Sequence, residues 1–148
     1  MFSNIAEIQV SYKSQTNTQD RIKITTSKGA FEVLKQISDP DTLELREYFY
    51  VLCLNRANQV MGFYNLGIGS VAGCVVDIKH LIAVAIKTNS SSIIIGHNHP
   101  SGNLTPSKAD ERITQQIKEA ARLFDIALHD HVIFTNENYF SFADEGRI

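Results

Sequence analysis

The run Ser-Ser-Ile-Ile-Ile-Gly-His-Asn-His at residues 91–99 constrains the fold of this chain more than any other stretch. It is short, dominated by β-branched apolar residues and bounded by polar ones, so it reads as a buried strand. Its end is not apolar. His97 and His99 stand two residues apart, and on a strand residues i and i+2 project to the same face. A fold that buries this strand therefore brings two imidazoles together at its end.

Strand and helix patterns alternate around it. Ala6, Ile8, Val10 and Tyr12 alternate with polar residues, and Arg-Ile-Lys-Ile-Thr (21–25) does so again after a polar loop, which predicts an edge hairpin. Ser27 caps a helix over 28–38 with Ala30, Leu34 and Ile37 on one face, and Asp-Pro-Asp-Thr ends it. The apolar runs 48–55 and 60–69 read as neighbouring strands. Asp77 caps a helix whose Ile78, Leu81, Ile82, Ala85 and Ile86 follow a helical period. A helix over 106–124 follows, with Thr105 as N-cap and Pro106 in its first position, then strands at 126–135 and 139–142. The pattern predicts one α/β layered domain with a mixed sheet flanked by helices, in which residues 1–40 form a hairpin and helix packed on a core spanning 41–148. At 148 residues and 43% hydrophobic, the chain suffices for one core.

Composition removes several classes of function. A formal charge of −2 and scattered basic residues give no electrostatic reason to expect DNA. Cys53 and Cys74 lie apart in apolar runs, which excludes a C-x-x-C site and suits buried free thiols in a reducing compartment. The N-terminus lacks the basic and apolar regions of a signal peptide, and no apolar run approaches the roughly 18 residues of a membrane span, so the expectation is a cytoplasmic protein without membrane contact. The zinc-deaminase and H-E-x-x-H patterns are absent, and the tripeptide His-Asn-His is no evidence for an HNH nuclease.

The stretch Gly-His-Asn-His-Pro-Ser-Gly-Asn-Leu-Thr-Pro-Ser-Lys-Ala-Asp (96–110) holds the chemistry. A strand-turn-helix return brings Asp110, in the first turns of the following helix, back over the strand end. Two histidines and one carboxylate, His97, His99 and Asp110, make a three-ligand zinc site with one position left for water, an arrangement suited to hydrolysis. The competing reading is a surface loop whose histidines fall in register by chance.

The pattern H97-x-H99-P-x6-S107-x2-D110 resembles the motif of JAMM (MPN+) metalloproteases, and the longer string resembles the RadC branch of that superfamily. The likeness extends to Arg-Glu-Tyr-Phe-Tyr-Val-Leu-Cys-Leu-Asn (46–55), the Gly-Cys-Val-Val-Asp before the second helix, 123–134 and 139–146, covering roughly 44–148; the first 40 residues resemble short RadC-like proteins weakly. The resemblance implies a cytidine deaminase-like layered fold, a short form lacking an N-terminal helix-hairpin-helix-like region, and one zinc per chain. It also implies hydrolysis of amide, peptide or isopeptide bonds in a peptide or protein substrate. By the same resemblance Glu47 is the general base, with Glu44 as rival, and Ser107 donates to the oxyanion. Two other roles are consistent with the resemblance: a DNA-repair-associated accessory protein and a non-catalytic binding scaffold. His129 and His131 form a second H-x-H that could be a metal pair, although His131 is expected rather to pack or to orient a ligand; His80 is expected to be solvated.

Overall fold

The computed structural model describes residues 4–69 and 75–148. After a 3₁₀ turn at Thr18–Asp20 come α1 (Ser27–Ile37), β1 (Glu47–Leu54), β2 (Val60–Gly69), α2 (Ile78–Lys87), β3 (Ser92–Asn98), α3 (Lys108–Arg122), β4 (Ala127–Phe134) and β5 (Tyr139–Ser141). The strands form one mixed sheet in the order β2-β1-β3-β4-β5, antiparallel except for the parallel pair β3 and β4, whose connection contains α3. The α/β expectation is met.

The sheet is covered on both faces, and strand parity decides which residues go where. Tyr48, Tyr50, Leu52 and Leu54 of β1, with Ile94, Val132 and Phe134, pack with Ala30, Phe31, Val33 and Leu34 of α1. Phe49, Val51 and Cys53 of the same strand, with Ile93, Ile95 and Leu128, pack with Leu81, Ile82 and Ala85 of α2 and Ile117 and Ala121 of α3. β3 is buried along its whole length. One position on it lacks room for any side chain: a Cβ at Gly96 would come within 2.5 Å of Leu34 Cδ1. Glycine there lets α1 lie directly on the strand beside His97.

Two expectations are corrected. The N-terminal hairpin does not form: residues 4–17 contain no helix or strand, and Ile5, Ile8 and Val10 are exposed. Alternation marks a segment able to pair, but pairing needs a backbone partner. Residues 21–25 give only the isolated bridge Lys23 to Gln59, with Ile24 N–H donating to Asn58 O and Val60 N–H to Ile22 O. Tyr12 meets β2 through its side chain, its hydroxyl donating to Met61 O. The second correction concerns helix starts. Thr26, not Ser27, caps α1 by accepting from Gly29 N–H, and Ser107, not Thr105, caps α3. In each case the side-chain oxygen that reaches the N–H three residues on decides the cap, whereas several adjacent hydroxyl residues look alike in sequence. Asp77 caps α2 as expected. Cys53 is a buried free thiol; Cys74 lies outside the described residues.

Gly96→Ala should force α1 off β3 or push Leu34 out of its rotamer, a loss of about 1–3 kcal/mol typical of overpacking. Denaturant unfolding should show a lower midpoint with an unchanged slope. An unchanged midpoint would mean that the α1 contact at this position is soft.

Candidate metal centre

Asn98, between the two histidines, builds the opposite side of the strand end. It is fully buried; its amide group donates to Leu43 O and Arg46 O, and its carbonyl oxygen accepts from Tyr48 N–H. One side chain thus pins the approach to β1 against the end of β3. Phe49 pairs with His97, and continuing that antiparallel register brings Glu47 level with His99. Glu44, the rival base, is exposed ahead of the strand.

On the other face the predicted donors meet. His97 Nε2 and His99 Nε2 are 2.9 Å apart. Asp110 Oδ1 lies 3.2 Å from His97 Nε2, Asp110 Oδ2 lies 3.4 Å from His99 Nε2, and Glu47 Oε1 is 3.8 Å from His97 Nε2. Glu47, His97 and His99 each offer a ligand atom within 4.8 Å of the others, close enough to hold a metal ion. Asp110 contacts both imidazoles, one through each oxygen. It is held there by a reciprocal cap, its Oδ2 accepting from Ser107 N–H at 2.7 Å and Ser107 Oγ accepting from Asp110 N–H at 3.0 Å. Ser107, exposed beside this carboxylate, therefore spends a lone pair on the helix and keeps its hydroxyl hydrogen for another partner.

The site's electrostatics follow from crowding. His99 Nδ1 faces Asn103 O, which can only accept, so that nitrogen carries the hydrogen. In the neutral ring Nε2 is then a bare lone pair aimed at another imidazole and a carboxylate. Burial alone would lower the His99 pKa, but hydrogen bonding to Asp110 and Asn103 and the charges of Asp110 and Glu47 outweigh it and hold the ring above its ordinary value. Burial pushes Asp110 upward, yet the adjoining imidazoles of His97 and His99, which favour the charged carboxylate whenever they carry a proton toward it, and the Ser107 N–H hold it well below the usual carboxylate range. Glu47 is raised, chiefly by burial, with the nearby histidines opposing the shift.

The remaining histidines occupy different environments. His131 is fully buried, stacked on Phe142 at 4.7 Å, and its Nε2 is 2.8 Å from His97 Nδ1. Burial keeps it well below its ordinary pKa. His129 is exposed: the β3–β4 register slips between the pairs Ile93/Leu128 and Ile94/Asp130, leaving His129 in the bulge and breaking the period that would align it with His131. His80 is exposed on α2 against the ring of Tyr64. Sequence reasoning missed Asn98 and Thr114. For Asn98 the signal was present, since an amide between two same-face ligands must point to the other, buried face.

A cleft of about 240 Å³ opens on the centre, lined by Glu47, Phe49, His97, Asp110, Arg112 and Ile113 among others. An α/β domain with a two-histidine, carboxylate-rimmed centre at the end of a buried strand is the class of protein defined here. This chain belongs to the family of RadC-like JAB domains, whose sequence pattern matches residues 24–147. The match takes in α1, beyond the span 44–148 over which the resemblance was expected. The chain is 42% identical over 125 residues to a UPF0758 protein of Flavobacterium johnsoniae, covering 84% of this chain and 53% of that one. It is 39% identical over 103 residues to a UPF0758 protein of Thermotoga maritima, covering 70% and 46%. With the UPF0758 protein YfjY of Escherichia coli it shares 40% identity over 101 residues, covering 68% and 63%. The chain thus spans about half the length of these relatives. Among the described residues, no helix is long and apolar enough to cross a membrane.

A divalent cation bound at this centre must displace the His99 proton. Because the metal-free pKa of His99 is raised above 6.5, apparent affinity should climb about tenfold per pH unit for as long as the ring is protonated, still climbing as the pH passes 6.5, and level off only once the ring is neutral. Calorimetry in buffers of different ionisation enthalpy should show about one proton released per ion on the acidic side of that plateau. Affinity independent of pH between 6 and 8 would contradict the His99 environment described.

Proposed function

We propose that this domain is a zinc-dependent hydrolase of amide or peptide bonds, isopeptide bonds included, acting on a peptide or protein substrate. The observation that carries the reading is the convergence of His97 Nε2, His99 Nε2 and both Asp110 oxygens at 2.9, 3.2 and 3.4 Å. A tetrahedral zinc with ligands at about 2.0–2.1 Å separates neighbouring ligand atoms by about 3.3–3.4 Å. The observed spacings are near that edge length, and two imidazoles with a carboxylate suit zinc. His97, His99 and Asp110 would hold the ion, one per chain.

Bound zinc would supply Lewis acidity, lowering the pKa of a coordinated water and polarising the substrate carbonyl. Glu47 is the base. Its carboxylate is partly desolvated, which raises its proton affinity, and it sits at the rim of the cleft. It takes a proton from the attacking water and returns it to the leaving amine. Ser107 directs its uncommitted hydroxyl hydrogen toward the developing oxyanion, a type of contact worth about 3 kcal/mol. A cytoplasmic, reducing setting suits the buried thiol of Cys53.

The test joins metal content to turnover. Purified protein should hold about one zinc per chain, and His97→Ala with His99→Ala should abolish it. Glu47→Gln should keep zinc and thermal stability while losing about 10²- to 10⁴-fold in hydrolysis of whichever substrate a mixed peptide and isopeptide library returns. Loss of zinc in Glu47→Gln would make Glu47 a ligand rather than a base. A zinc-loaded wild type that cleaves nothing across the library would overturn the hydrolase reading.

A further inference from the structure

We propose that Thr114 and His131 are positioning residues that lock His97 in the one tautomer whose Nε2 lone pair faces the metal centre. The inference rests on the metal reading above for its purpose, but not for its geometry.

The chain of hydrogens can be followed atom by atom. Thr114 Oγ1 lies 2.6 Å from Asp110 O, the carbonyl one turn back on α3. A carbonyl only accepts, so the single hydroxyl hydrogen of Thr114 is spent there. The same Oγ1 lies 2.6 Å from His131 Nδ1. With its hydrogen committed, the hydroxyl receives this bond, and His131 Nδ1 carries the N–H. His131 has no carboxylate on either nitrogen and no solvent exposure, so the ring is neutral and its Nε2 is a lone pair. His97 Nδ1, 2.8 Å away, must then donate to it. In the neutral ring, that leaves His97 Nε2 bare, toward His99 and Asp110.

Every hydrogen in the relay is therefore set by a backbone carbonyl that cannot reverse its role. Thr114, His131 and His97 are all buried, at 0, 0 and 1% exposure, so water cannot substitute for a missing partner. Phe49 and Phe142 stack on the rings and hold their planes. The relay also closes on itself: it starts at the main chain of Asp110, whose side chain lies 3.2 Å from the far nitrogen of His97. One helical turn of α3 thus carries a candidate ligand and the anchor that orients another.

The alternative tautomer shows what the lock prevents. If His97 carried its hydrogen on Nε2, it would donate to Asp110 Oδ1, and that hydrogen would occupy the place of the cation. Without Thr114 nothing opposes this outcome, because His131 Nδ1 loses its acceptor and the ring can turn its own N–H toward His97.

Long-range ¹H–¹⁵N NMR of the full, metal-free chain labelled at histidine reads the tautomers directly. Wild type should show His131 protonated on Nδ1 with a pyridine-type Nε2, and the same tautomer for the neutral form of His97. Thr114→Val, nearly isosteric, should disturb this pattern and weaken zinc binding about 10- to 100-fold, the usual effect of losing a group that orients a ligand histidine. Thr114→Ser should restore both. An Nε2–H or doubly protonated His131 in the wild type would overturn the proposal, and this spectrum decides even if Thr114→Val does not fold. A folded Thr114→Val with wild-type tautomers and wild-type zinc affinity would also overturn it. Should the wild type bind no zinc, the metal reading fails while the tautomer result still stands or falls by itself.

Discussion

Acceptor atoms that repel one another are held within hydrogen-bond distance at the end of β3, and the surrounding structure holds them there. Two imidazole nitrogens and the oxygens of two carboxylates face a common point. Left flexible, such groups would separate or solvate, because partly buried carboxylates and bare lone pairs cost free energy unless a proton or a cation lies between them. Rigidity therefore has to come from elsewhere. It comes from a strand buried on both faces, from the reciprocal Ser107–Asp110 cap, and from the amide of Asn98 tying β1 to β3.

The alternation of β3 divides these tasks. Ile93, Ile95 and His97 face α2 and α3, where the core gives way to the centre at the strand's end. Ile94, Gly96 and Asn98 face the α1 side, where the strand is anchored: Gly96 admits Leu34, and Asn98 satisfies two carbonyls of the segment leading into β1 and the N–H of Tyr48 at its start. Three consecutive residues, His-Asn-His, thus carry chemistry on one face and support on the other. Moving the register by one residue would exchange the faces and dissolve both.

α3 concentrates the remaining dependencies. Its first turn carries Ser107 as cap and Asp110 as candidate ligand, its second turn carries Thr114, and its later residues Ile117 and Ala121 pack the helix on the sheet. Fraying of this N-terminus would loosen the carboxylate and the His131 contact together. The stability of one helix end and the geometry of the centre are a single quantity here, and the cap is placed where electrostatics favours a carboxylate.

Much of this was legible in the chain itself. Periodicity and turn chemistry located β1 to β5 and the three helices, because long apolar patterns of clear period leave few alternatives, and the i, i+2 spacing of His97 and His99 with Asp110 in the next helix foretold their meeting. The family motif singled out Glu47 and Ser107. Other features needed the folded structure, because they depend on partners distant in sequence. Alternation at 6–12 predicted a strand, but among the described residues no backbone partner is presented to it. His129 and His131 share the spacing of His97 and His99, yet a bulge in β4 sends one to solvent and the other beneath the centre. Asn98, Thr114 and the direction of each hydrogen bond in the relay acquire meaning only when β1, β3, α3 and β4 are brought together. Sequence determines which side chains a local element can present to one face, whereas tertiary packing decides which atoms those side chains meet and hence where the protons lie.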